Sequence, residues 1–136
     1  NVEGIKKGTV HCVSNAGLND MTWPKVADTK SKVETLLRNQ SQTFGKAGVH
    51  ALRDQLCDIF TGTVRYPETD LPDLGFSDHV ARGERWKEVV CQQGPFVKSH
   101  DWDYGTLGQT CVIASASSRS TFYFYRSTRE ILYGKP

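Results

Sequence analysis

The chain has 136 residues, 38% of them hydrophobic, a size suited to one domain spanning residues 1–136 with a real core. Seventeen Lys and Arg against fifteen Asp and Glu leave a formal net charge of +2, too little for the long-range field of a committed nucleic-acid binder. No stretch approaches the roughly 18 apolar residues of a membrane span, and no Cys-x-x-Cys pair or His spacing suits zinc, so no membrane partner, metal or cofactor is expected.

In chain order, residues 8–13 alternate well enough to predict a first strand, with Asn15, Ala16 and Gly17 as turn residues after it. Thr22 stands where it can cap a helix that opens on Trp23-Pro24 and carries Val26, Val33, Leu36 and Leu37 as one apolar stripe. This is the long helix expected to pack across the sheet. Val49, Leu52, Leu56, Ile59 and Phe60 predict a second, shorter helix, with Cys57 near its end and Gly62 as a stop.

Pro67, Pro72, Gly75 and Gly83 predict a loop region over 66–84, followed by a strand over 85–91 and a long loop over 100–108. Strands over 110–115 and 121–126, joined through 116–120, predict a hairpin. The chain opens on Asn1 without a signal-peptide core, and it carries four cysteines and the sequon Asn39-Gln40-Ser41. Together these predict a mature secreted form, disulfide-bonded and glycosylated at Asn39.

Arg119, Arg126 and Arg129 flank the aromatic run Phe122, Tyr123, Phe124 and Tyr125. Such a basic group could hold phosphate, giving RNA binding that weakens with salt, or meet a partner protein's carboxylates. His79 and His100 fall in predicted loops, whereas His11 and His50 read as ordinary packing or surface residues.

The motif Tyr66-Pro67-Glu68 is followed by Gly75-Phe76, then by the run Arg85-Trp86-Lys87-Glu88-Val89-Val90 and the two hairpin strands. In that order and spacing the chain resembles the ribonuclease T1 and ribotoxin family, and within it the RNase-like secreted effectors of plant-pathogenic fungi. The resemblance implies an α+β fold: a helix packed on a twisted antiparallel sheet of four or five strands, with one extra helix and stabilising disulfides. The family's catalytic histidine, glutamate, arginine and second histidine correspond here to Glu68, Glu88, Cys111 and Arg126, beside Tyr66. A guanidinium cannot donate a proton at neutral pH, and loss of one positioned acid costs about 10²–10⁴-fold.

The resemblance therefore implies a pseudo-ribonuclease without catalytic residues, a monomeric virulence effector secreted by a fungus and translocated into host cells. Its implied partner is a host plant protein such as an immune receptor, or RNA held weakly. An active ribonuclease or ribotoxin using Glu88 with His79 or His100 is the enzymatic alternative, and a killer-toxin-like fold is a third. Cys91 lies an odd number of residues from Glu88 and so faces away from the implied cleft, which favours a Cys57–Cys91 disulfide among the three connectivities that four cysteines allow.

Overall fold

The computed structural model describes residues 6, 8–14, 17–40, 46–72, 94–99, 104–115 and 119–127. Its elements are α1 (Pro24–Arg38), α2 (Lys46–Phe60), a single 3₁₀ turn (Glu68–Asp70), β1 (Lys98–Ser99), β2 (Tyr104–Gly105), β3 (Gly108–Ser115) and β4 (Ser120–Ser127). The protein is thus α+β. The predicted strand over 85–91, together with Glu88, Cys91, His79, His100 and Arg129, lies outside the described residues.

Residues 8–13 do not form the expected strand. Gly8 takes a left-handed φ of +80°, and Asn19, itself at φ +57°, captures the backbone of Cys12 from both sides. The Asn19 amide donates to the Cys12 carbonyl at 2.7 Å, and the Cys12 amide donates to Asn19 Oδ1 at 3.0 Å. With both backbone groups satisfied inside one loop, nothing remains for a sheet partner.

α1 begins as its sequence requires, with proline at the first helical position, where a missing N–H costs no hydrogen bond. Thr22 does not cap it. The residue at the cap position is Trp23, and Thr22 instead donates its hydroxyl and its amide to Asp20 Oδ1 at 2.6 and 3.2 Å. Val26, only 1% exposed, joins Trp23 in the core cluster, against which Cys12 and Leu71 pack. Leu37 is exposed, so the buried stripe is shifted toward Val26 and Thr29.

Both helices have 15 residues, and it is α2 rather than α1 that packs on the sheet, against β3, while α1 packs on α2. The reason is composition: α2 turns Val49 and Leu52 inward as buried anchors, with Leu56 following half-buried one turn later. Its end is closed by Thr61, whose amide donates to the Cys57 carbonyl at 2.9 Å and whose hydroxyl reaches the same carbonyl at 3.1 Å.

Among the described residues the strands form two antiparallel pairs, β1–β2 and β3–β4, in place of one sheet of four or five strands. β1 and β2 turn part of the expected 100–108 loop into a short hairpin. The predicted long hairpin is present, with a register running from Gly108↔Ser127 to Ser115↔Ser120 and Arg119 at its turn with φ +51°. Gly94 ties the segment after α2 to the strands, donating to the Val64 carbonyl at 2.8 Å. A Cβ there would stand 3.1 Å from the Gly62 carbonyl oxygen, an approach that only glycine permits comfortably.

Disulfide stabilisation is not shown: Cys12, Cys57 and Cys111 are free thiols. The expected Cys57–Cys91 bridge has one partner free and the other outside the described residues.

Candidate anion-binding site

Alternation in the hairpin places Gln109, Cys111 and Ile113 of β3 and Phe122, Phe124 and Arg126 of β4 on one face, the half-buried one, while Val112, Tyr123 and Tyr125 stay exposed on the other. α2 lies over β3. Between helix and hairpin opens a cleft of about 530 Å³ whose lining includes Arg53, Asp54, Cys57, Gln109, Cys111, Phe124 and Arg126, a volume suited to a small organic ligand.

Arg53 is anchored on three sides. Its Nε and Nη2 reach Asp54 Oδ1 at 2.7 and 2.6 Å, Nη1 donates to His50 Nδ1 at 3.0 Å, and the guanidinium stands 4.9 Å over the Phe124 ring. Because arginine only donates, His50 must accept at Nδ1 and carry its proton on Nε2. The imidazole also meets Phe124 edge to face, with centroids 5.4 Å apart.

Arg126 is held differently. It sits opposite Gln109 in the register and donates from Nη2 to Gln109 Oε1 at 2.9 Å, which fixes the amide orientation. That leaves Arg126 Nε and Gln109 Nε2 buried with no acceptor among the described residues. Among the described residues no carboxylate pairs with Arg126, and the two arginines against Asp54 leave the cleft with one positive charge in excess.

The Cys111 thiol is not activated by its surroundings. Burial pushes the Cys111 thiol up, the neighbouring Cys57 pushes it further, and Arg53 only partly opposes them. Cys111 is accordingly a protonated, half-buried thiol at neutral pH.

Two of the residues singled out from sequence, Cys111 and Arg126, meet in this cleft, and the others do not join them. Tyr66 is engaged elsewhere, its hydroxyl donating to Asp28 Oδ2 at 3.0 Å while Lys32 pairs with the same oxygen at 2.7 Å. Burial first, then the hydrogen bond and charge of Asp28, raise the Tyr66 phenol well above its ordinary value. Glu68 is exposed on the 3₁₀ turn. Arg119 stands at the opposite end of the hairpin from Arg126, about 23 Å away for seven residues of strand, so the expected basic group is not one patch. Asn39 is exposed at the C-terminal cap of α1. His11 is bound by Asn19 and Thr9 at 2.8 Å each, within the loop that replaces the first strand.

Sequence reasoning missed Arg53 and Gln109. Parity was the available signal for Gln109, which shares the face of Cys111 and Ile113, just as Arg126 shares that of Phe122 and Phe124. A polar pair at the end of an otherwise apolar inward stripe calls for explanation. Arg53 shared no such pattern, because only the seating of α2 on β3 brings it to the hairpin.

Residues 1–127 match the family model described as TANGO2, Transport and Golgi organisation 2. Neither curated proteins nor solved structures provide a match. The family match overturns the resemblance to ribonuclease T1, the ribotoxins and the fungal effectors, and with it the expectations of secretion, virulence and recognition as an effector by a plant host. The elements on which that resemblance was built are ones many families share: a Tyr-Pro loop opening, a helix, and a hairpin with one covered face. A match that takes in 127 of the 136 residues, helices and hairpin included, leaves the chain in a different place: it belongs to the TANGO2 family.

Proposed function

We propose that this protein serves transport and Golgi organisation, the role its family is described by, as an intracellular, non-catalytic binder of a small anionic ligand. The ligand's carboxylate or phosphate oxygens lie in the cleft between α2 and the β3–β4 hairpin, against Arg126, Gln109 and Arg53. The observation that carries this reading is the pair of buried donors without acceptors among the described residues, Arg126 Nε and Gln109 Nε2, beside a guanidinium that no described carboxylate neutralises. A buried donor left unsatisfied costs about 1–3 kcal/mol, and an oxyanion supplies the missing acceptors while matching the charge.

Binding without turnover is favoured by the thiol chemistry, since Cys111 is held protonated. A single oxyanion also suits the site better than RNA, because Arg119 and Arg126 stand too far apart to track neighbouring phosphates. The test is thermal unfolding of the purified chain with inorganic phosphate, sulfate or citrate, beside an Arg126→Met variant. A saturable rise in Tm that Arg126→Met abolishes is expected, approaching about 2.7 kcal/mol of added stability at a hundredfold excess over Kd. No rise with any of the three anions, or an equal rise in the variant, refutes the reading.

A further inference from the structure

Cys57, one turn before the end of α2, and Cys111, in the middle of β3, face one another across the contact between that helix and that strand. Both are free and half-buried. Each lines the arginine cleft, and each also lines a second, apolar cavity of about 260 Å³ beside it, walled by Leu56, Phe60 and Pro95. The two thiols, with Gln109, therefore form the partition between the cavities. Cys57 is close enough for its charge to bear on Cys111, which is part of what keeps Cys111 protonated.

We propose that Cys57 and Cys111 are a reversible modification site that forms an intramolecular disulfide by exchange with a low-molecular-weight disulfide of the glutathione class. One protein thiolate attacks a sulfur of the oxidised glutathione, forming a mixed disulfide and releasing one glutathione thiolate, which takes up the proton lost by the protein thiol. The second protein thiol then loses its proton and attacks the mixed disulfide, closing the protein S–S bond and releasing the second glutathione. Two protein thiols are oxidised by two electrons, and one glutathione disulfide is reduced to two thiols. In an intracellular protein, the location proposed above, a switch is favoured over a permanent bond, since intracellular disulfides are characteristically transient. Bridging requires Cα atoms within about 4.4–6.8 Å, so the bond pins the end of α2 to β3. The proposal shares the intracellular location with the reading above but not its anion site, and the peptide map reads the thiols alone.

The four cysteines lie on four separate tryptic peptides, residues 8–25, 54–65, 88–98 and 99–119, so a non-reducing peptide map identifies any pairing directly. The experiment incubates the reduced full-length chain with oxidised glutathione, blocks remaining thiols and maps the digest by mass spectrometry. The expected product joins 54–65 to 99–119, is reversed by dithiothreitol, and disappears in Cys57→Ser and Cys111→Ser, where the surviving cysteine retains glutathione. A map joining Cys57 to Cys91 or Cys12, or glutathione on both Cys57 and Cys111 without a cross-link, overturns the proposal. The wild-type map decides the pairing even if a serine variant fails to fold.

Discussion

Replacing Arg126 with methionine separates a guanidinium kept for a ligand from one kept for structure. Methionine preserves most of the aliphatic stem and removes all the guanidinium donors. Two effects on the unliganded protein oppose each other. The Nη2 bond to Gln109 Oε1 at 2.9 Å is lost, at a net cost of about 1.5–3 kcal/mol for a hydrogen bond to a charged group. The buried Nε, which has no acceptor among the described residues, is removed, which relieves about 1–3 kcal/mol. The two nearly cancel, so unfolding free energy should change by no more than about 1 kcal/mol, a few degrees in Tm. An arginine held in a buried structural ion pair would instead cost about 3–5 kcal/mol on removal. Urea unfolding can be followed by fluorescence, since Trp23 is 4% exposed in the core cluster and reports its dissolution. The double variant Arg126→Met/Gln109→Leu removes both orphaned donors together with the bond between them and should be at least as stable as the single variant. Oxyanion affinity should fall about a hundredfold or more in both, the equivalent of a charge-assisted bidentate contact. A loss of stability of 3 kcal/mol or more, or unchanged anion affinity, would refute the reasoning.

Tyr66→Phe removes the hydroxyl that ties the segment after α2 to Asp28 of α1, and should cost about 1–2 kcal/mol once its partial exposure is allowed for. A double-mutant cycle with Asp28→Asn should show strong coupling, and simple additivity would count against the bond. Because the Tyr66 phenol is raised in the folded state, its stabilisation is complete below its ordinary value near pH 10 and is lost as pH climbs toward the folded value. Cys12 and Cys111, also raised, add a decline that begins near pH 8.5. Urea midpoints from pH 7 to 11 should therefore fall above pH 8.5, and Tyr66→Phe should flatten the part above pH 10; a variant that falls as steeply as the parent would exclude Tyr66 as a cause. Gly94→Ala places a methyl 3.1 Å from the Gly62 carbonyl oxygen and 3.3 Å from that of Val64, both backbone atoms, and should destabilise by about 1–3 kcal/mol in the same assay.

The two helices and the β3–β4 hairpin were legible in the chain because their signals are local. Val49, Leu52 and Leu56 recur at helical spacing, Pro24 marks a helix start, and alternation from Thr110 to Arg126 declares a hairpin with one covered face. Local periodicity says that an element has a buried face without saying what covers it. Only tertiary packing decided that α2 rather than α1 lies on β3, and that choice brings Arg53 to Phe124 and Cys57 to Cys111. The run 8–13 had a strand's alternation yet became a loop, because Asn19 satisfied the Cys12 backbone from seven residues away at less cost than a distant strand. Arg119 and Arg126 looked like one basic group along the chain and stand at opposite ends of an extended strand, since each residue of strand adds about 3.3 Å. The chain alone thus determined that α1, α2 and the β3–β4 hairpin form and which hairpin residues share the covered face, through the periods of the backbone itself. The cleft, its orphaned donors and the facing thiols arise where separate elements meet, at distances that no local pattern encodes.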